Sequence, residues 1–175
     1  LYGIAAGMAY LHSLGIIHRN LSLKNVLLDE YLYPKINNYL FSVNPLNDSN
    51  QSITIAPEVT QDHDYTEKSD VFSFAFLAFE LITGEDPNLA PKSKSNRPKI
   101  NSIIGPTFDN IIRLCWNENP EVRPTFSKIL AEFKKFSKLA NITPEFLNYI
   151  DAIDQNMGFI YDVQPVYIYP GSIQK

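Results

Sequence analysis

The chain has 175 residues, of which 45% are hydrophobic and 13% aromatic, and this composition is sufficient for a domain with a sizeable core. Its formal net charge of −4 excludes the basic surface that nucleic acids and anionic membranes attract, so neither is expected as a partner. The single cysteine, Cys115, cannot form an internal disulfide. Its apolar neighbours predict a buried, unreactive thiol in an intracellular, cytoplasmic protein.

Hydrophobic residues at helical spacing open the chain and predict a first helix over about residues 1–13. The sequence begins inside this pattern, so we expect the chain to be part of a longer protein. His12, at the end of the helix, is predicted to be solvated. Short apolar runs separated by turn-forming residues then predict two or three short strands around one loop. The runs are residues 15–18, 25–29 and 34–37, and the loop HRNLSLKN covers residues 18–25.

The middle of the chain alternates polar loops with one strongly apolar helix. Asn, Ser, Asp and Gln dominate residues 40–53, which predicts a loop. Residues 66–83 are apolar almost all round and are followed by Gly84, so this helix should be buried on every face. Three prolines without helical spacing predict an exposed loop, without a regular helix, over residues 85–99.

The remainder of the chain is predicted to be mainly helical. Apolar side chains at a 3.6-residue spacing predict three further helices, at about 107–116, 125–138 and 143–154. Thr143 is expected to cap the last helix, with Pro144 in its first turn. We therefore expect one domain over residues 1–138 and a C-terminal segment, 139–175, that contains one helix and an irregular tail.

Five stretches resemble, in order and spacing, the large lobe of protein kinases, and in particular the tyrosine-kinase-like group. They are GMAYLHSLGIIHRN, NVLLD, APE, YTEKSDVFSFAFLAFELITG, and CW followed by NPEVRPTFSKIL, and they cover about residues 1–136. The resemblance implies a mainly α fold, the C-terminal lobe of a kinase with a few short strands around its catalytic loop. The Gly-rich loop and strand lysine of the small lobe do not occur in the 175 residues, so the small lobe is expected to be absent.

The catalytic loop of the family has the pattern H-R-D-L-x-x-x-N, and this chain departs from it at the base. Asn20 replaces the aspartate that accepts the proton of the substrate hydroxyl. An amide cannot take that proton at neutral pH. Ser22 replaces the lysine that serine/threonine kinases usually have near the transferred phosphate. Asn25 matches the metal-binding asparagine, but one neutral ligand is a poor site for Mg²⁺.

A second departure lies where the family has D-F-G. The resemblance aligns this motif with Asn38-Tyr39-Leu40, so an amide replaces the carboxylate that binds Mg²⁺ and leucine replaces the glycine hinge. Tyr39 keeps an aromatic ring that is expected to pack against His18. Neither a metal ion nor a nucleotide is therefore expected as a cofactor, and the nucleotide positions Asn25 and Asn38 are degenerate.

Several residues that the family uses to hold its fold are present. The resemblance implies a buried ion pair between Glu58, from the A-P-E motif, and Arg123. It also implies that Asp70 braces the backbone of His18 and Arg19. Arg19 can receive a phosphate from the segment ahead, although the favoured interpretation of that segment is a plain polar loop.

These observations favour a catalytically inactive pseudokinase that acts as a scaffold or allosteric interaction module in signalling. Its expected partners are other signalling proteins, among them an active kinase. One alternative is an ATP-dependent serine/threonine kinase of the tyrosine-kinase-like group, with ATP and Mg²⁺ as cofactors, whose small lobe is missing from this sequence. Another is a fragment that does not fold alone.

Overall fold

The structure is a computed structural model, and it describes seven stretches of the chain: residues 1–30, 32–39, 53–62, 64–90, 97–100, 105–139 and 144–156. The chain divides into two compact units, Leu1–Asn141 and Ile142–Lys175. All elements up to α5 below belong to the first unit, and α6 belongs to the second.

The first unit opens with helix α1, Tyr2–Ser13, whose apolar side chains, among them Met8, are buried. A 3-10 turn, Leu23–Asn25, leads into strand β1, Val26–Leu28, and this strand pairs with β2, Pro34–Ile36, in an antiparallel hairpin. Within the described residues, two of the two or three predicted strands are therefore present.

No strand forms at residues 15–18, because the backbone there is bound to other elements. The N–H of Ile16 donates to the carbonyl of Leu11 in α1 at 2.9 Å. The N–H of His18 donates to the carboxylate of Asp70. Gly15 has a φ of 70°, a left-handed conformation that turns the chain immediately after the helix. An apolar run next to a helix end was thus mistaken for a strand.

Helix α2, Pro57–Asp62, precedes the central helix α3, Glu67–Thr83. A capping box begins α3, since the Thr66 hydroxyl accepts a hydrogen bond from the N–H of Lys68 while the Ser69 hydroxyl accepts one from the N–H of Thr66. Gly84, with a φ of 70°, ends it. The predicted burial holds for the middle of the helix and fails near its end, where Leu81 is exposed.

The remaining helices of the first unit are amphipathic. They are α4, Pro106–Cys115, and α5, Phe126–Leu139, with a second 3-10 turn, Pro120–Val122, between them. Helix α3 packs on α4, and α1 packs on α5. Aromatic pairs join the helices: Phe74 meets Phe126 edge to face at 5.3 Å, and Phe108 stacks on Phe133 at 5.6 Å between ring centroids.

The second unit contains helix α6, Pro144–Asn156, close to the predicted range, whereas its predicted cap Thr143 lies outside the described residues. The predicted loop 40–53 also lies almost entirely outside them. Residues 85–90 and 97–100 contain no regular helix, as predicted, while residues 91–96 lie outside the description. Among the helices that the structure describes, none is both long and apolar enough to span a membrane.

Cys115, at the end of α4, is fully buried, and burial raises the pKa of its thiol to about 12. Because only the thiolate is a good nucleophile, the folded protein should hardly react with iodoacetamide at neutral pH. Unfolding in urea is expected to bring the reaction to the rate of a free cysteine, as mass spectrometry would measure. Rapid alkylation of the folded chain would contradict the burial of this helix face.

Candidate functional site

Asp70, in the first turn of α3, holds the backbone at the start of the loop 18–25. Its two carboxylate oxygens each accept a backbone hydrogen bond of 2.8 Å, Oδ2 from the N–H of His18 and Oδ1 from that of Arg19. The Asp70 side chain is only 1% exposed. Arg19 has a φ of 68°, an unfavourable conformation for a side chain with a Cβ, so these two bonds fix a strained backbone. The bracing that the sequence predicted is therefore present.

A third partner of Asp70, His12, was missed from the sequence. Its ring nitrogen Nε2 lies 2.9 Å from Asp70 Oδ2, and its side chain is 8% exposed rather than solvated. The ring also meets Phe126 edge to face at 5.2 Å between centroids. The prediction of a solvated histidine was wrong because it assumed that a residue at the end of a helix lies on the protein surface. His12 follows the buried Met8 by four residues, a spacing that places both on one face of α1.

His18 connects the loop to the end of the β hairpin. Its Nδ1 accepts a hydrogen bond from the N–H of Asn20 at 3.3 Å, so Nε2 carries the proton and donates to the carbonyl of Asn37 at 3.1 Å. Burial lowers the pKa of the imidazole, which favours this neutral form. The ring thus hydrogen-bonds the backbone of both segments, and the structural role of His18 stays a prediction.

Three asparagines join the loop to the segment after β2. The side-chain nitrogen Nδ2 of Asn25 donates to the backbone carbonyl of Asn20 at 2.7 Å. Asn38 Nδ2 in turn donates to Asn25 Oδ1 at 2.9 Å. The structure therefore brings together the three positions at which the sequence places the base and the metal ligands.

The other predicted site residues lie around this group. Asn20 and Arg19 are exposed, and Ser22 and Tyr39 are half-buried. The packing of Tyr39 on His18 stays a prediction, and Leu40 lies outside the described residues.

A cleft opens beside the loop, and Arg19, Asn20 and Ser22 lie along it together with Tyr65. The Arg19 guanidinium carbon is 5.7 Å from the centre of the Tyr65 ring. Burial raises the pKa of the Tyr65 hydroxyl, while the nearby Arg19 charge opposes that shift. The hydroxyl has no hydrogen-bond partner within the described part of the chain.

The side chains at the family's metal position do not fit Mg²⁺. This ion prefers oxygen ligands and is usually held by carboxylates, whereas Asn38 directs an N–H group toward Asn25. Within the described stretches, no three His, Cys, Asp or Glu side chains are close enough to hold a metal ion together.

Glu58 and Arg123 form the ion pair that the sequence predicted. The guanidinium donates to both carboxylate oxygens, with Nη1–Oε1 at 2.5 Å and Nη2–Oε2 at 2.8 Å. Its other three N–H groups donate to the backbone carbonyls of Asn117, Lys68 and Glu118. All five donors of an arginine are thus bound, and the Arg123 side chain is fully buried.

The central helix adds an aromatic ring to this cluster. The guanidinium carbons of Arg123 and Arg97 lie 4.8 Å and 4.9 Å from the centre of the Phe72 ring. Arg97 Nε also donates to the carbonyl of Trp116 at 3.2 Å. The cluster therefore connects α2 and α3 to the chain around the second 3-10 turn.

Comparison with known proteins gives the family. Residues 1–133 match the family described as protein tyrosine and serine/threonine kinase. An RGS domain-containing serine/threonine-protein kinase A of Dictyostelium discoideum is 38% identical over 144 residues, which cover 74% of this chain and 13% of the relative. A serine/threonine/tyrosine-protein kinase of Arabidopsis thaliana is 33% identical over 150 residues, covering 77% of this chain and 38% of the relative.

A serine/threonine-protein kinase of Arabidopsis thaliana is 34% identical over 144 residues, which cover 73% of this chain and 25% of the relative. The chain thus spans well under half the length of each of these relatives. The matched residues include α1, the hairpin and the catalytic-loop positions described above. The chain belongs to the protein kinase family, and its hairpin and helices α1 to α5 are those of the large lobe.

Proposed function

We propose that the chain is part of a pseudokinase, a kinase-family protein that does not transfer phosphate and acts instead as a scaffold or allosteric interaction module in signalling. Its partners are other signalling proteins, among them an active kinase, and it needs neither ATP nor Mg²⁺. The proposal rests on the identity of the side chains at two positions. Asn20 stands where the family has the base that accepts a proton, and Asn38 stands where it has the carboxylate that binds the metal.

The carboxylates near the loop support the proposal because they are bound elsewhere. Both oxygens of Asp70 accept backbone hydrogen bonds. Asp29, in the turn of the hairpin, accepts a hydrogen bond from the N–H of Tyr33 at 2.9 Å and lies 3.3 Å from the ammonium group of Lys35. Both carboxylates are therefore already engaged by other groups of the chain.

The alternative function is an ATP-dependent serine/threonine kinase. It is supported by the relatives, whose names describe protein kinases, and by the retained Asn25. The two functions differ in one observable, the transfer of phosphate from ATP.

We expect the full-length protein to transfer no phosphate from radiolabelled ATP to generic protein substrates. Loss of a general base alone typically reduces a rate by about 10²–10⁴-fold, and here the metal carboxylate is also missing. Asn20→Asp is expected not to restore transfer, because Asn38 still provides no carboxylate.

Asn25→Ala is the control for this assay, since it removes the remaining metal-binding position of the family. Incorporation of label that Asn25→Ala abolishes would establish the kinase and refute the pseudokinase. Incorporation that Asn25→Ala leaves unchanged would instead identify a contaminating kinase.

A further inference from the structure

The hydrogen bonds among the three asparagines have only one possible direction. The backbone carbonyl of Asn20 can only accept, so Asn25 must turn its Nδ2 toward it. Asn25 therefore directs its Oδ1 to the other side, where Asn38 must present an N–H group. The orientation of both amides follows from the backbone of the catalytic loop.

Further hydrogen bonds hold Asn38 in place. The N–H of Asn37 donates to the carbonyl of Asn25 at 2.9 Å, and Asn37 Oδ1 accepts from the N–H of Asn38 at 2.8 Å. Asn38 has a φ of 64°, a left-handed conformation that asparagine adopts more readily than most residues. The contact between Asn38 and Asn25 is therefore part of a defined local structure.

The distance between the two side chains matches that between two ligands of one ion. Asn38 Nδ2 lies 2.9 Å from Asn25 Oδ1. In an octahedral Mg²⁺ site with bonds of about 2.0–2.1 Å, neighbouring oxygens are roughly 3 Å apart. The 2.9 Å separation is also the ordinary length of an N–H···O hydrogen bond, so a hydrogen-bonded amide pair and a pair of oxygen ligands fit the same space.

We infer that Asn38, through its side-chain N–H, takes the place of a divalent cation, while its Nδ2 stands where a second oxygen ligand would stand. Its N–H group supplies the positive end that an ion would otherwise supply to Asn25 Oδ1, and it joins the loop 18–25 to the segment after β2 without any metal. The inference rests on the proposed function only in that no metal-dependent transfer is required at this site.

The substitution Asn38→Asp tests the inference on the full chain. Two oxygen acceptors would then face each other, so the melting temperature in EDTA should fall by roughly 2–6 °C relative to wild type. Adding Mg²⁺ should restore it, and Mn²⁺ should bind the variant and enhance water proton relaxation. Wild type is expected to melt at the same temperature in EDTA and in Mg²⁺.

Two control variants separate the cation site from other effects. Asn110, in α4, is exposed as Asn38 is, so Asn110→Asp makes the same chemical change in a similar solvent environment and should show no response to Mg²⁺. Asn38→Leu removes the hydrogen bond without adding a ligand, so it should melt lower with or without the ion. If Asn38→Asp does not fold in EDTA, the yield of folded protein with and without Mg²⁺ replaces the melting temperature as the measured quantity.

A variant Asn38→Asp that shows no Mg²⁺ response in melting or yield would overturn the inference, as would stabilisation of wild type by Mg²⁺ alone. The proposed function fails by a different result, namely transfer of labelled phosphate by the wild-type protein. The two failures can therefore be told apart.

Discussion

Arg123→Ala is expected to lower the free energy of unfolding by about 3–5 kcal/mol, which is a large share of the 5–15 kcal/mol that stabilises a typical domain. The substitution leaves the Glu58 carboxylate without its partner and removes the donors to three backbone carbonyls. It also removes the cation that lies 4.8 Å from the centre of the Phe72 ring. Urea denaturation followed by circular dichroism measures the change.

Three further variants serve as comparisons for Arg123→Ala. Arg113→Ala removes an arginine from the exposed face of α4 and should change stability by less than about 0.5 kcal/mol. Arg123→Lys keeps the charge but not the five-donor geometry, so it should recover only part of the loss. Asn20→Ala should cost little, because the Asn20 side chain is exposed. Equal destabilisation by Arg123→Ala and Asn20→Ala would contradict the large-lobe alignment.

Asp70→Ala is expected to cost about 3–5 kcal/mol as well. Two backbone N–H groups lose a charged acceptor, and a hydrogen bond to a charged group contributes about 1.5–3 kcal/mol. Without those bonds, nothing compensates the unfavourable φ of 68° at Arg19, so the loop should open locally. Hydrogen exchange at the amides of His18 and Arg19 should accelerate more than exchange in the centre of α3.

Asp109→Ala is the matched control, since Asp109 also lies in the first turn of a helix, α4, but is only half-buried. It should lose only the interaction with the helix dipole, about 0.3–1 kcal/mol. If Asp70→Ala and Asp109→Ala destabilise the protein equally, Asp70 contributes through the helix dipole and does not brace the loop.

The helices could be predicted from the sequence because their apolar residues repeat at the helical period. Predicted and observed ends of α1 and α5 differ by about one residue. The ion pair of Glu58 with Arg123 could also be predicted, because the family resemblance fixed both positions even though 65 residues separate them. Periodicity alone could not have found that pair.

The contacts that were missed depend on the tertiary arrangement of polar groups. Whether His12 is solvated depends on Asp70, which lies 58 residues further along the chain and approaches only when α3 packs beside the loop. The apolar run at 15–18 resembled a strand, yet its backbone hydrogen bonds go to α1 and to a carboxylate. To predict the Asn38–Asn25 bond, one must know which end of each side-chain amide, the nitrogen or the oxygen, faces the other residue.

Asn20 takes part in the loop through its backbone, since its N–H donates to His18 and its carbonyl accepts from Asn25. Its side chain is exposed. A substitution at this position therefore changes the side chain that the family uses as its base and leaves these two backbone hydrogen bonds in place. Selection on folding and selection on catalysis act on different atoms of the same residue.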